Sequence, residues 1–174
     1  FLLAFLQFEF SAFTLILFGL FFLFDIIAYT DFESNDIYNI TLIIFAVFAI
    51  GICLYKIFIF KQDYLQFIIG CAVGFLFFLL VKVIFKVILK KDALGSGDIF
   101  LTGIAGLMLG VMPLLLAIIV ATVLGSIIEI VKIKLNKSER EALIAFAPYL
   151  LLGFAVLSIF STTVMDLITK VVMF

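Results

Sequence analysis

Gly95-Ser96-Gly97-Asp98-Ile99-Phe100-Leu101-Thr102-Gly103-Ile104-Ala105-Gly106-Leu107-Met108-Leu109-Gly110-Val111-Met112-Pro113 opens the longest apolar run of the chain and decides how it folds. The run from Ile99 to Ile133 is too long for a single membrane-spanning helix, which needs about 20 residues. Pro113 stands where a turn would divide it. A short helix from Ile99 to Met112 is therefore predicted, with a further helix after it. Gly103, Gly106 and Gly110 let a neighbouring backbone come close, in the manner of small-x-x-x-small packing, and Gly70 and Gly74 offer the same surface earlier in the chain. All five are read as packing glycines.

Outward from this segment, four more apolar runs cover Ser11 to Tyr29, Ile37 to Phe60, Tyr64 to Leu89 and Ala142 to Phe160, with charges collected between them. The expected fold is all-α: a membrane bundle of about six transmembrane helices. Composition agrees, because 67% of the 174 residues are hydrophobic and 13% are charged, far more apolar than a soluble core requires. Residues 1–10 read as the remnant of an earlier segment, since Phe1 to Phe8 is too short to span, and no basic stretch marks a signal peptide. Residues 11–160 form the expected six-helix domain. Residues 161–174 form a C-terminal tail, where Asp166 and Lys170, four apart, would support a helical turn.

A formal charge of -1 gives no basis for a nucleic-acid partner, and the absence of histidine excludes histidine-based catalysis and His-ligated metal within this chain. Cys53 and Cys71 lie inside apolar runs without ligand spacing and read as small packing residues. No metal and no cofactor are expected. The partners expected are the lipid bilayer and a protein substrate.

Basic residues near span ends stay on the cytoplasmic side. Lys82, Lys86, Lys90 and Lys91 flank the end of the third helix and Lys132, Lys134, Lys137 and Arg140 the break after the fifth, while Lys56 and Lys61 mark the opposite side. With six spans, the loops after helices one, three and five are then cytoplasmic. Asp31 falls in the first of these and Asp98 in the second, so alternation alone brings two acids to one membrane face. Two carboxyls at a partly dry site hold one proton between them, and their apparent pKa values separate. One can take a proton from water while the other gives one to a carbonyl oxygen or a leaving amine, which is peptide hydrolysis without a covalent intermediate. Gly95 and Gly97 would let an extended substrate strand pass close to Asp98.

Three segments then resemble the motifs of type IV prepilin peptidases. Asp31-Phe32-Glu33-Ser34-Asn35-Asp36-Ile37-Tyr38-Asn39 is similar to their first motif, an aspartate followed by Ile-Pro-Asn or Ile-Pro-Asp. Gly95-Ser96-Gly97-Asp98 matches the second, and Phe146-Ala147-Pro148-Tyr149 resembles the Phe-Gly-Pro element that opens the last helix. The resemblance implies a multi-pass aspartyl endopeptidase of a bacterial or archaeal inner (plasma) membrane. Such an enzyme cuts the short basic leader from prepilin or pseudopilin precursors at the cytoplasmic face, with Asp31 and Asp98 as catalytic dyad. It implies supporting or substrate-binding roles for Gly95, Ser96, Gly97, Asn39 and Pro148. The cysteine-bearing insertion that accompanies N-methylation in many bacterial members is not in this sequence.

Three positions depart from the pattern: Tyr38 stands for proline, Ala147 for glycine, and Phe100 for the lysine common two residues after the second aspartate. The last change is expected to alter the electrostatics of the site and to leave the dyad. Asp25, six residues before Asp31, points to another face of its helix and is read as an interfacial, partnered or protonated acid. Glu129 is expected to pair with Lys132 or Lys134, the Lys82, Lys86, Lys90 ladder to reach lipid headgroups, and Glu33 and Asp36 to be solvated. Two rival readings are a non-enzymatic transporter subunit with Asp25 and Asp31 in a polar cavity, and another Gly-x-Gly-Asp intramembrane protease. Neither accounts for the three motifs together.

Overall fold

The structure, a computed structural model, describes residues 12–34, 37–59, 61–89, 95–134 and 147–172; at 12–14, 34, 89, 129, 132, 133 and 160–172 it describes the helix alone. Residues 1–10, Asp36, Lys90, Lys91, Lys137, Arg140 and Phe146 lie outside the described residues, as do the side chains of Glu129, Lys132, Asp166 and Lys170. Among the described residues the regular elements are helices: α1 (Ala12–Ser34), α2 (Asn39–Ile59), α3 (Tyr64–Leu89), α4 (Ser96–Leu109), α5 (Val111–Lys134) and α6 (Ala147–Val172). In lipid a backbone must satisfy its own hydrogen bonds, and runs this apolar do so as helices. Leu15–Glu33, Asn39–Ile59, Tyr64–Ile88 and Val111–Ile128 are long and apolar enough to cross a membrane. The chain is an all-α membrane protein. Outward-facing Phe22, Ile43, Val47, Leu76, Leu80 and Ile119 are all more than half exposed, as suits side chains bathed in lipid.

Several boundaries differ from the sequence reading. The long apolar run breaks at Gly110, whose φ of 85° only glycine adopts freely, and not at Pro113. Gly110 N–H closes α4 on the Gly106 carbonyl at 2.9 Å, and its own carbonyl accepts Leu114 N–H at 3.2 Å. Pro113 sits in the first turn of α5, where its missing N–H leaves no bond unmade. The short helix begins at Ser96 and takes Asp98 into its first turn; α1 runs past Tyr29 to Ser34 and carries Asp31 in its last turn. Neither acid is a loop residue. Residues 161–172, expected as a tail, continue α6 without a break.

The short α4 is the centre of the bundle and touches α2, α3, α5 and α6. Its tightest neighbour is α3. A Cβ on Gly70 would lie 2.5 Å from the Gly106 carbonyl oxygen, and one on Gly74 2.5 Å from that of Thr102. The predicted packing glycines thus set an antiparallel register, four residues forward on α3 for four back on α4. Carried two turns further, it places Lys82 beside the start of α4. Leu17, Leu20 and Ile27 of α1, Phe45 of α2, Leu101 and Met108 of α4, and Leu150 and Phe154 of α6 are closed from solvent around this centre.

Lys56 lies in the last turn of α2, at the end of the bundle expected from sequence, but it is not solvated there. It is buried within α2, and its Nζ donates at 3.1 Å to the Met108 carbonyl in the last turn of α4, 5.9 Å from the Phe67 ring centre. A cation on the free carbonyls of a helix C-terminus is favourably placed. Lys61, by contrast, is exposed.

Candidate functional site

Asp31 and Asp98 are 5% and 6% exposed, although one ends a helix and the other begins one. Helix termini leave backbone N–H and C=O groups unbonded within the helix, so they are natural places for a buried carboxyl to find partners. Asp31 Oδ2 accepts the backbone N–H of Ala147, the first residue of α6, at 3.2 Å. That donor is one of those α6 cannot satisfy itself, and an acid at a helix N-terminus suits the positive end of the helix dipole. The contact ties the segment carrying Asp31 to the one carrying Pro148.

Asp98 has its own surroundings. Gly95, the N-cap of α4, is extended with φ -64° and ψ 147°, and its backbone hydrogen-bonds to the Asp98 carboxyl. The Thr102 hydroxyl donates at 2.6 Å to the Asp98 carbonyl and holds the first turn. Oδ1 of Asp98 is buried without a hydrogen-bond partner among the described residues. Buried polar atoms are nearly always bonded, so such an orphan marks a place where a ligand or water belongs.

Asp98 lies outside the four long spans. Burial raises its pKa from 3.8 to about 7, the negative field of Asp31 adds to the rise, and the Gly95 hydrogen bond and the Lys82 ammonium oppose it. The two acids therefore feel one another, as a proton-sharing pair requires. A second contact joins their segments: a Cβ on Gly97 would stand 2.8 Å from Ile37 Cβ, so Ile37 fits against the backbone of the Gly-x-Gly-Asp turn. Three parts of the chain far apart in sequence, 31–34 with 37–39, 95–98, and 147–148, converge at one end of the bundle. Lys56, at the far end of α4, marks the other.

The remaining residues singled out from sequence are arranged as follows. Ser96 is exposed at the start of α4, Asn39 exposed at the start of α2, and Pro148 half-buried in the first turn of α6. Tyr38, in the place of a proline, begins α2 through its carbonyl, which accepts Thr41 N–H at 3.1 Å, Leu42 N–H at 3.3 Å and the Thr41 hydroxyl at 2.7 Å. Phe100 packs on Phe75 of α3 with ring centres 5.7 Å apart. Asp25 is exposed midway along α1, and Glu33 is exposed at its end. Lys82 was expected among lipid headgroups, yet its charge reaches Asp98. Only the register of α3 on α4 reveals that, and no residue spacing announces it. Among the described residues no group of three or more acids or cysteines is placed to hold a metal ion.

The sequence profile of the type IV leader peptidase family matches residues 16–130, which include Asp31, Asn39 and the Gly95 to Asp98 turn. Among curated proteins, the chain is similar to the prepilin leader peptidase/N-methyltransferase of Stutzerimonas stutzeri, with 33% identity over 81 residues, 47% of this chain and 28% of that protein. It is also similar to the prepilin leader peptidase/N-methyltransferase of Legionella pneumophila, with 30% identity over 83 residues, 48% of this chain and 29% of that protein. The matched stretch thus spans under a third of either relative's length. No solved structure matches the chain significantly.

Proposed function

Because this chain belongs to the type IV leader peptidase family, we propose that it is a membrane aspartyl endopeptidase in which Asp31 and Asp98 form the catalytic pair. It removes the short basic leader from prepilin- or pseudopilin-type precursors at the cytoplasmic face of the plasma membrane. The observation that carries this reading is the convergence of two buried acids, one with an orphaned oxygen and a pKa raised towards neutrality.

Near neutral pH the pair holds one proton, and Asp98, with its raised pKa, keeps it. Asp31 accepts a proton from the attacking water as the water oxygen bonds to the scissile carbonyl carbon. Asp98 then gives its proton to the amide nitrogen, the C–N bond breaks, and a free amine leaves. The shared proton is regenerated on the pair. Gly95 and Gly97 carry no side chain to crowd a strand approaching Asp98, Ser96 is exposed beside them, and Asn39, exposed at the start of α2, is offered to bond the leader backbone. Pro148 fixes the first turn of α6, whose Ala147 N–H orients Asp31.

Cleavage of a peptide with a basic leader ending in glycine, by the full chain in lipid vesicles, tests the reading. Asp31→Asn and Asp98→Asn should each abolish product while the helical circular dichroism of the reconstituted protein is kept. Full activity in either variant would refute the pairing.

A further inference from the structure

Gly95 is the N-cap of α4, a position where the side chain of serine, threonine, asparagine or aspartate ordinarily accepts the free N–H of the second or third helical residue. With glycine there, no side chain caps the helix, and the N–H groups of Gly97 and Asp98 make no hydrogen bond with a described residue. Nothing in the fold asks for glycine at this position. Its φ of -64° and ψ of 147° are extended backbone that any residue adopts. Among the described residues, a Cβ built on Gly95 would come within 4 Å of Asp98 Oδ2 at 3.5 Å and Gly97 N at 4.0 Å alone, both ordinary contacts. Gly97 differs, because Ile37 occupies the place of its side chain.

The space beside Gly95 is therefore a small cradle, with a backbone donor on one side and the Asp98 carboxyl on the other. The Gly95 backbone holds that carboxyl over the first turn, and its remaining oxygen, Oδ1, is buried without a partner on a side chain only 6% exposed. Gly95 itself is exposed, so the cradle opens outward. Peptide hydrolysis by the two acids leaves one charge to be met. As the water oxygen bonds to the scissile carbon and its proton passes to Asp31, the π pair of the C=O bond moves onto the carbonyl oxygen and makes it an anion. Preorganised N–H groups stabilise such a charge, and a helix N-terminus adds the positive end of its dipole. We propose that the first turn of α4, through the N–H groups of Gly97 and Asp98, is the oxyanion hole of this enzyme, and that glycine at position 95 keeps those donors open. The electron pair returns to the C=O bond as the C–N bond breaks, with the nitrogen taking its proton from Asp98. This rests on the peptidase reading and adds a third catalytic element to the two acids.

The test uses the full chain, made by cell-free synthesis into lipid nanodiscs, and a peptide with a basic leader ending in glycine. Glycolic acid in place of Gly97 turns one amide into an ester and removes one N–H. It should lower kcat about a hundredfold or more, the usual effect of losing one such donor, and leave KM within about threefold. Gly95→Ser supplies a hydroxyl that accepts the same N–H groups. Its thermal midpoint should be unchanged or raised, as for a better N-cap, while kcat falls about tenfold or more. Wild-type kcat in either variant would overturn the proposal.

A second arm reads the anion site without cleavage and separates charge from crowding. Two fluorescein-labelled peptides carry either an anionic phosphinate or a neutral hydroxyethylene group in place of the scissile amide, and fluorescence anisotropy gives their Kd. The ester at position 97 should weaken the phosphinate about tenfold or more and the hydroxyethylene less than about threefold. Equal losses would show a steric or structural effect and overturn the proposal. A wild type that cleaves nothing, yet holds the phosphinate more tightly than the alcohol and loses that preference with the ester, would support the anion site and refute the peptidase reading instead.

Discussion

Asparagine at position 98 should make the protein more stable at alkaline pH, and the gain can be worked from the burial of the residue it replaces. The Asp98 carboxyl is raised from 3.8 to about 7 in the fold. In the unfolded chain it loses its proton near pH 4, but in the folded chain it keeps it to near 7. Between those values the unfolded state binds fewer protons, so stability falls as pH rises, the reverse of the usual salt-bridged aspartate. At about 1.4 kcal/mol per pKa unit the full loss is about 4 kcal/mol, of which about 2.5 kcal/mol accrues between pH 5 and pH 8. The side-chain amide of the Asp98→Asn variant does not titrate. The difference in unfolding free energy between variant and wild type should therefore widen by about 2.5 kcal/mol from pH 5 to pH 8, in favour of the variant. The chain has no tryptophan, so guanidinium unfolding in neutral micelles is followed by far-ultraviolet circular dichroism. Parallel pH dependences in the two proteins would show that Asp98 titrates as an ordinary acid and would remove the electrostatic basis of the pair.

Lys82→Met should raise the Asp98 pKa further, because the lysine opposes the effect of burial; the alkaline limb of the cleavage rate against pH, set by loss of the Asp98 proton, should then move up. Lys82→Arg should restore the limb, and a limb that stays put in Lys82→Met would refute the influence of this cation. Gly106→Ala should destabilise the fold by about 1–3 kcal/mol, the usual cost of overpacking, because its Cβ would meet the Gly70 carbonyl oxygen. Gly51→Ala, with nothing within 4 Å of the new carbon, should be neutral or stabilising by up to about 1 kcal/mol through helix propensity. Thermal unfolding followed by circular dichroism separates the two, and equal midpoints would mean that α3 and α4 are not in close contact.

The number of helices was legible because hydropathy reports where lipid ends, and each long apolar run must satisfy its backbone within itself. Helix ends were less legible, for a related reason. Hydropathy changes at the water boundary, while hydrogen bonding can continue past it, as in α1, whose last turn holds Asp31, and in α4, whose first turn holds Asp98. The break at Gly110 rather than Pro113 has a similar origin: a proline interrupts a helix only by lacking a donor, and in a first turn no donor is required. The acids themselves stood out, since each is expensive where it lies. Their helpers did not. Ala147 serves through a backbone N–H that any residue but proline possesses, and Lys82 through a register that Gly70, Gly74 and Gly106 create only when α3 lies on α4. Phe100, at the position where the resembled motif was expected to have lysine, is accommodated by this arrangement. Its ring is committed to Phe75 on the same helix that presents Lys82, so the cation near Asp98 comes from the neighbouring helix instead of from two residues along the chain. Span parity can bring two acids to one end of a bundle, but it does not say which helices carry them together: α1, with Asp31, packs on α2 and α6, and it is these two that pack in turn on α4, with Asp98.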